Sequence, residues 1–246
     1  MLLTKRLANL GDLFFRHRSY IPLGLAIWIF LERKSFYYFK LSHFQDAIFE
    51  VSCFLVSLFG IALRAYTTGY CKPGTSGRNT KGQYAEGLNT DGIYSVVRNP
   101  IYIGNFFIVL GISMLSESYE TVLITCLLFT SFYIPIILRE EEFLLENFKD
   151  SFIEYSTRTP AMLPNFKLWK KPQRKFNFFR VLSREPDSFM GLLGAFFAVE
   201  ILRDYTLTAK FSVDRLWVII IITGFTAWLI LKSMKRYLKS AASQFD

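Results

Sequence analysis

Cysteine and histidine are scarce in this chain. Its 246 residues include three cysteines and two histidines. Three thiols cannot build a disulfide framework, and no C-x-x-C pair is present. Cys53 and Cys126 sit inside apolar runs, where a thiol behaves as a small hydrophobe. Cys71 stands alone in a polar stretch. His17 and His43 are isolated from each other, so no metal site is expected. What is abundant is aromatic: 26 Phe and 13 Tyr. That content excludes a disordered, collagen-like or solvating chain. Mean hydropathy is +0.27 although 20% of residues are charged. Apolar residues must therefore come in blocks, and blocks of this kind suggest membrane spans.

Six apolar runs are candidate spans: 19–31, 47–63, 101–115, 121–138, 189–202 and 216–231. A crossing helix needs about 20 residues. Several runs are shorter, so re-entrant or interfacial segments are the alternative for those. Runs such as TVLITCLLFTSFYIPIIL and LWVIIIITGFTAWLIL carry no charge and no polar stripe, unlike helices of a soluble bundle. The expected fold class is all-α, a polytopic integral membrane bundle of about six helices. No cleavable signal peptide is expected, because no small-residue cleavage site follows the first apolar run.

Charge distribution orients the runs. With the N-terminus inside, 23 of the 29 basic residues fall on inside segments, as the positive-inside rule requires. Both termini are then cytoplasmic. The net charge of +9 reads as membrane orientation and attraction to anionic headgroups. Nucleic acid is the rival partner for such a charge, and no basic face with interleaved aromatics stands clear of the membrane to favour it.

Two inside segments carry candidate chemistry. Residues 69–100 begin rich in Gly, Ser, Thr and Asn, with Arg78 and Lys81 among them, a composition that lets backbone N–H groups and cations approach an anion. An ordinary flexible loop is the alternative reading. Pro100 suits the first turn of the next helix. Residues 138–166 continue the fourth run as an amphipathic helix, with Phe143, Leu144, Phe148, Phe152 and Tyr155 at helical spacing. Arg139, Glu140, Glu141 and Glu142 mark the end of the apolar run, either as interfacial charges or as the lining of a polar pocket. Glu200, three residues from Arg203, is either an intramembrane functional acid or half of an interfacial ion pair.

The stretch DGIYSVVRNPIYIGN, residues 91–105, resembles the pattern G-x-Y-x-x-x-R-[HN]-P-x-Y-x-G. This pattern occurs in membrane methyltransferases related to isoprenylcysteine carboxyl methyltransferase and phospholipid methyltransferases. Glu140, Glu141, Leu144 and Phe148 match the E-E-x-x-L-x-x-x-F signature of the same family, which continues through Tyr155 and Arg158 to Pro160 and Pro164. The two motifs bracket residues 101–138 and cover about a third of the chain.

The resemblance implies a methyltransferase that uses S-adenosylmethionine in a pocket at the cytoplasmic membrane interface. Carried over by motif position, Gly92, Ile93, Tyr94, Val97, Arg98, Asn99, Tyr102, Gly104, Glu140 and Glu141 would bind the cofactor, with Glu141 at its polar end. Arg98, Glu141 and Arg139 would be catalytic, and Arg78, Lys81, Arg139 and Arg158 would meet the substrate. Asn99 stands where many relatives have His, and Lys149 and Phe152 replace a frequent Gly and Tyr. The implied organisation is N-terminal transmembrane helices over 1–68, a methyltransferase core over 69–166, and an extension over 167–246 with two further spans.

An ionised carboxylate or phosphate needs cations to place it, whereas an amine arrives protonated and needs a base. The candidate cations are Arg78, Lys81, Arg98 and Arg139, and no histidine lies near them, which favours an anionic oxygen nucleophile. The context resembles the lipid A phosphate methyltransferases of bacteria, implying an inner-membrane location and a lipid substrate. Isoprenylcysteine carboxyl methylation and phospholipid amine methylation are the alternatives. A non-enzymatic transporter or scaffold is the reading from another class; no internal repeat favours it.

Overall fold

In a computed structural model of the chain, the described residues are 2–17, 24, 27–29, 31–32, 43–72, 75, 85–209 and 215–242. They form seven principal helices: α1 (Leu2–His17), α2 (His43–Tyr70), α3 (Pro100–Met114), α4 (Tyr119–Arg158), α5 (Phe178–Arg184), α6 (Pro186–Thr208) and α7 (Arg215–Ala242). No strand occurs among the described residues. The protein is an all-α membrane bundle.

Three described helices are long and apolar enough to cross a membrane, through Ala47–Tyr70, Tyr119–Arg158 and Trp217–Lys235. The expected run at 101–115 is α3, whose 15 residues reach about 22 Å against a hydrocarbon core of about 30 Å. The run at 189–202 lies in α6, which also holds Asp187, Glu200, Arg203 and Asp204 and is not among the three. Most of the first run, 19–31, lies outside the described residues.

Small residues bring α2 and α3 together. A Cβ on Gly60 would lie 2.4 Å from the Gly104 carbonyl oxygen, and one on Gly104 would lie 2.6 Å from Cγ of Arg64. Ser57 donates to the Ile108 carbonyl at 2.9 Å on the same seam. Close backbone approach of this kind is how helices associate where lipid removes the hydrophobic drive between them.

The α3–α4 hairpin turns at Glu117 (φ 53°), and the Ser118 hydroxyl caps α4 by accepting from the Thr121 N–H at 3.2 Å. Its apolar half packs Phe129, Tyr133, Ile136 and Ile137 with Phe15 of α1 and Tyr102 of α3. A second core joins Cys53, Ile61, Leu115, Leu192, Phe196, Val199 and Trp217. Leu123, Leu127, Ile219 and Ile222 face outward, as lipid-facing positions would. Arg203, 2% exposed, pairs with Glu50, Glu117 and Glu200, so the Glu200–Arg203 ion pair is present within a larger buried cluster.

The sequence predicted one continuous amphipathic helix after residue 138. Instead α4 kinks at Lys149, which adopts φ 41° and ψ −117°. The side-chain spacing therefore breaks there. Phe152 is buried, while Phe143, Leu144 and Phe148 on the first limb are half-buried.

Candidate active site

The site is built where residues 91–99 meet both limbs of α4. Gly92 has φ 56°, a left-handed conformation that glycine adopts without steric cost. A short 3-10 turn, Ile93–Ser95, follows it. Val96 and Val97 are buried and hold the segment down. Pro100 then opens α3 as its first residue.

Three consecutive glutamates point three ways, because neighbours on a helix are about 100° apart. Glu141 receives the Arg98 guanidinium on both oxygens, Nε to Oε1 and Nη2 to Oε2, each at 2.9 Å. Asn99 Nδ2 also donates to Glu141 Oε1 at 3.2 Å. Glu140 accepts from the Tyr102 hydroxyl at 2.6 Å. Glu142 pairs with Arg139 at 2.9 Å, and Arg139 also reaches Asp12 of α1 at 2.9 Å.

Arg98 has a further task. Its Nη1 donates to the Ser156 carbonyl at 2.8 Å and the Thr159 carbonyl at 2.6 Å. Tyr155 donates its hydroxyl to the Tyr94 carbonyl at 2.8 Å. The second limb of α4 is thus tied to the signature segment as firmly as the first. Burial pushes the Tyr94 phenol well above the ordinary tyrosine range, with smaller contributions from Cys71, Tyr155 and Glu140, so its hydroxyl stays protonated.

A strap after Pro160 closes over the signature segment. Arg98 N–H donates to the Pro160 carbonyl at 2.9 Å, Asn165 N–H to the Val96 carbonyl at 3.0 Å, and Gly92 N–H to the Lys170 carbonyl at 3.0 Å. Gln173 N–H donates to Asp91 at 2.8 Å. Asn99, the residue in place of the family's frequent His, adds a bond to the Ala161 carbonyl.

Gly92, Ile93, Tyr94, Val97, Arg98, Asn99, Tyr102, Glu140 and Glu141 are therefore close together. Gly104 is not with them: it faces α2. Arg139 turns toward α1, and Arg158 makes an exposed pair with Glu154. Arg78 and Lys81 lie outside the described residues. Sequence reasoning overlooked Arg64, which pairs with Glu185 at 3.0 Å, bonds Ser188 at 3.2 Å and contacts Asn105. Thr68 donates to the same glutamate at 3.1 Å. The available signal was a lone arginine that follows the charge-free stretch 51–63. A separate cavity of about 220 Å³, lined by residues that include Leu182, Asp187 and Lys235, shares no residue with the signature segment.

Residues 51–151, which contain both signature motifs, match the family described as phospholipid methyltransferase. Over 77 residues the chain is 38% identical to a protein-S-isoprenylcysteine O-methyltransferase of Schizosaccharomyces pombe, covering 31% of this chain and 33% of that one. Over these residues the chain is similar to isoprenylcysteine and phospholipid methyltransferases.

Two proteins with other names are also similar. The nickel-cobalt-cadmium resistance protein NccN of Alcaligenes xylosoxydans xylosoxydans is 30% identical over 129 residues, 52% of this chain and 58% of its own. The cobalt-zinc-cadmium resistance protein CzcN of Cupriavidus metallidurans is 31% identical over 115 residues, 47% and 50% of the two chains. The chain thus spans about half the length of these two relatives. No solved structure matches it.

Proposed function

We propose that this chain is an integral membrane methyltransferase that uses S-adenosylmethionine to methylate an anionic oxygen, phosphate or carboxylate, of a membrane lipid. The observation that carries the reading is the cluster of Glu140, Tyr102 and Tyr94 beside the Gly92 turn, inside the family's segment. The cofactor supplies an electrophilic methyl group on a sulfonium cation. The donor set fits such a cation: carboxylates and aromatic faces favour positive charge. Gly92, without a Cβ, lets a ligand come close to the backbone.

In this reading Glu140 provides the negative charge facing the cation, and Tyr102 fixes that carboxylate by its hydrogen bond. Arg98 and Glu141 hold the loop against α4, which keeps the reacting groups positioned. Asn99 tethers the same loop. Tyr94, held neutral by burial, contributes a ring and a donor rather than a base. An ionised oxygen nucleophile needs no proton removed, which suits a site without histidine. Because Arg98 and Arg139 already pair with carboxylates, placement of the substrate anion falls to Arg78 and Lys81, with Arg158 at the rim.

Lipid A phosphate is the substrate favoured by the loop context. A carboxylate of the isoprenylcysteine type is the second reading, supported by the likeness to the yeast protein. In both, the site opens to the cytoplasm, both termini lie there, and the bacterial inner membrane is the location. The test is to incubate membranes containing the protein with methyl-labelled cofactor and identify the labelled lipid by mass. A phosphate or carboxylate methyl ester is expected. A methylated amine headgroup overturns the nucleophile assignment, and no cofactor binding by the purified protein overturns the enzyme reading.

A further inference from the structure

Between Met162 and Arg184 the chain carries no acidic residue. Five cations of this stretch, Lys167, Lys170, Lys171, Arg174 and Lys175, are exposed, and none forms an ion pair with a described residue. Large apolar side chains are exposed between and beside them: Phe166 at 72%, Trp169 at 48%, Phe178 at 63% and Phe179 at 61%. In water such exposure is costly, and the backbone here is not free to fold it away. It is pinned to the signature segment at Val96, Gly92 and Asp91, and Asn177 N–H donates to the Gly69 carbonyl at 2.9 Å.

The depth of the strap is marked by the helices around it. Phe176 packs edge-on against Tyr70, the last residue of the apolar helix α2, with ring centroids 5.2 Å apart. Lys235, at the end of the apolar stretch of α7, donates to the Ser183 carbonyl at 2.6 Å. One turn earlier, Lys232 sits over the Trp228 ring at 4.1 Å, an aromatic and a cation together, as at a bilayer interface. The apolar stretches of two crossing helices therefore end at the level of this strap.

From this we infer that the strap over residues 163–180 is a docking surface for the anionic headgroups of the surrounding bilayer. Its Phe and Trp side chains enter the headgroup boundary and its lysines and arginine meet lipid phosphates. Aromatic anchors want the interface, and each basic residue near an anionic surface adds to the attraction. The inference goes beyond methyl transfer and needs no cofactor. It has a consequence for the site: the surface that senses headgroups is bonded directly to Gly92, Val96 and Asp91.

The experiment uses the full chain in nanodiscs, without cofactor. Phe178→Cys carries a polarity-sensitive dye in a Cys126→Ser background, Cys53 and Cys71 being buried. Nanodiscs of phosphatidylcholine are compared with nanodiscs that also contain phosphatidylglycerol. Quenching by acrylamide, an uncharged probe, should fall about threefold or more with phosphatidylglycerol present and recover in high salt. The combined variant Lys170→Glu, Lys171→Glu and Lys175→Glu should abolish the difference. Equal quenching in the two lipids overturns the inference, as does protection that survives high salt. Should the combined variant fail to fold, the salt series on the unreversed strap decides. Protection seen only in crude membranes, and not in nanodiscs, would point to an acidic protein partner and also overturn it.

Discussion

The Arg98 guanidinium meets the Glu141 carboxylate two-pronged, at 2.9 Å on each prong, and the same guanidinium also bonds Ser156 and Thr159. In a straight helix residues 141 and 156 would stand about 22 Å apart, far beyond the reach of one side chain. The kink at Lys149 folds the second limb of α4 back, and Arg98 clamps the two limbs together. The signature arginine is thus the residue that gives the site its shape.

Glu141→Gln should therefore injure folding as well as function. It keeps the shape but leaves the Arg98 charge, 15% exposed, without its counterion. A loss of about 2 kcal/mol in stability is expected, below the full buried-pair cost because some water reaches the pair. Cofactor affinity should fall at least about tenfold with it. Thermal unfolding and calorimetry on the purified variant measure the two effects separately.

Glu140→Gln should behave differently. The Tyr102 hydroxyl donates to Glu140, and an amide oxygen can accept the same bond. Folding should be little changed. If Glu140 faces the cofactor's cation as proposed, cofactor affinity should still drop about tenfold, because that charge is gone. Sequence reasoning gave that part to Glu141, whose oxygens turn out to be taken by Arg98 and Asn99. Unchanged affinity in Glu140→Gln would return the role to another group.

Lys149→Gly should stabilise the protein by about 1 kcal/mol. A lysine at φ 41° and ψ −117° is strained, and glycine adopts such angles freely. Lys149 is exposed, so no packing is lost. Lys149→Ala, which keeps a Cβ, should bring little of the gain. A higher unfolding temperature for Gly alone is the expected result.

The apolar runs at 47–63, 121–138 and 216–231 and the gathering of the two motifs were legible in the sequence, since span length and motif order are local properties. The kink was half legible: Lys149 stands where the resembled signature often has glycine, and its φ of 41° shows why glycine suits that position. The pairing of Arg98 was illegible, because a lone arginine in a motif does not declare whether it meets a ligand or a carboxylate 43 residues away. The strap was missed because its bonds are made by backbone N–H groups, which leave no trace in residue type. Gly104 was read as pocket lining, and the structure sets it against α2.

That last difference can be tested directly. A Cβ at Gly104 would lie 2.6 Å from Cγ of Arg64 and 2.8 Å from the Gly60 carbonyl oxygen. The arginine stem could swing aside, but the carbonyl belongs to a helix and cannot. Gly104→Ala must therefore push α2 and α3 apart, with an overpacking cost of about 1–3 kcal/mol. Gly191→Ala in α6 is the control, since nothing lies within 4 Å of its added Cβ. That change should be neutral or slightly stabilising, as alanine is the better helix former. If Gly104 instead lines the cofactor pocket, Gly104→Ala would weaken cofactor binding with the unfolding temperature unchanged. The helix-crossing role requires the unfolding temperature to fall, and with it the Arg64–Asn105 contact that spans the same seam.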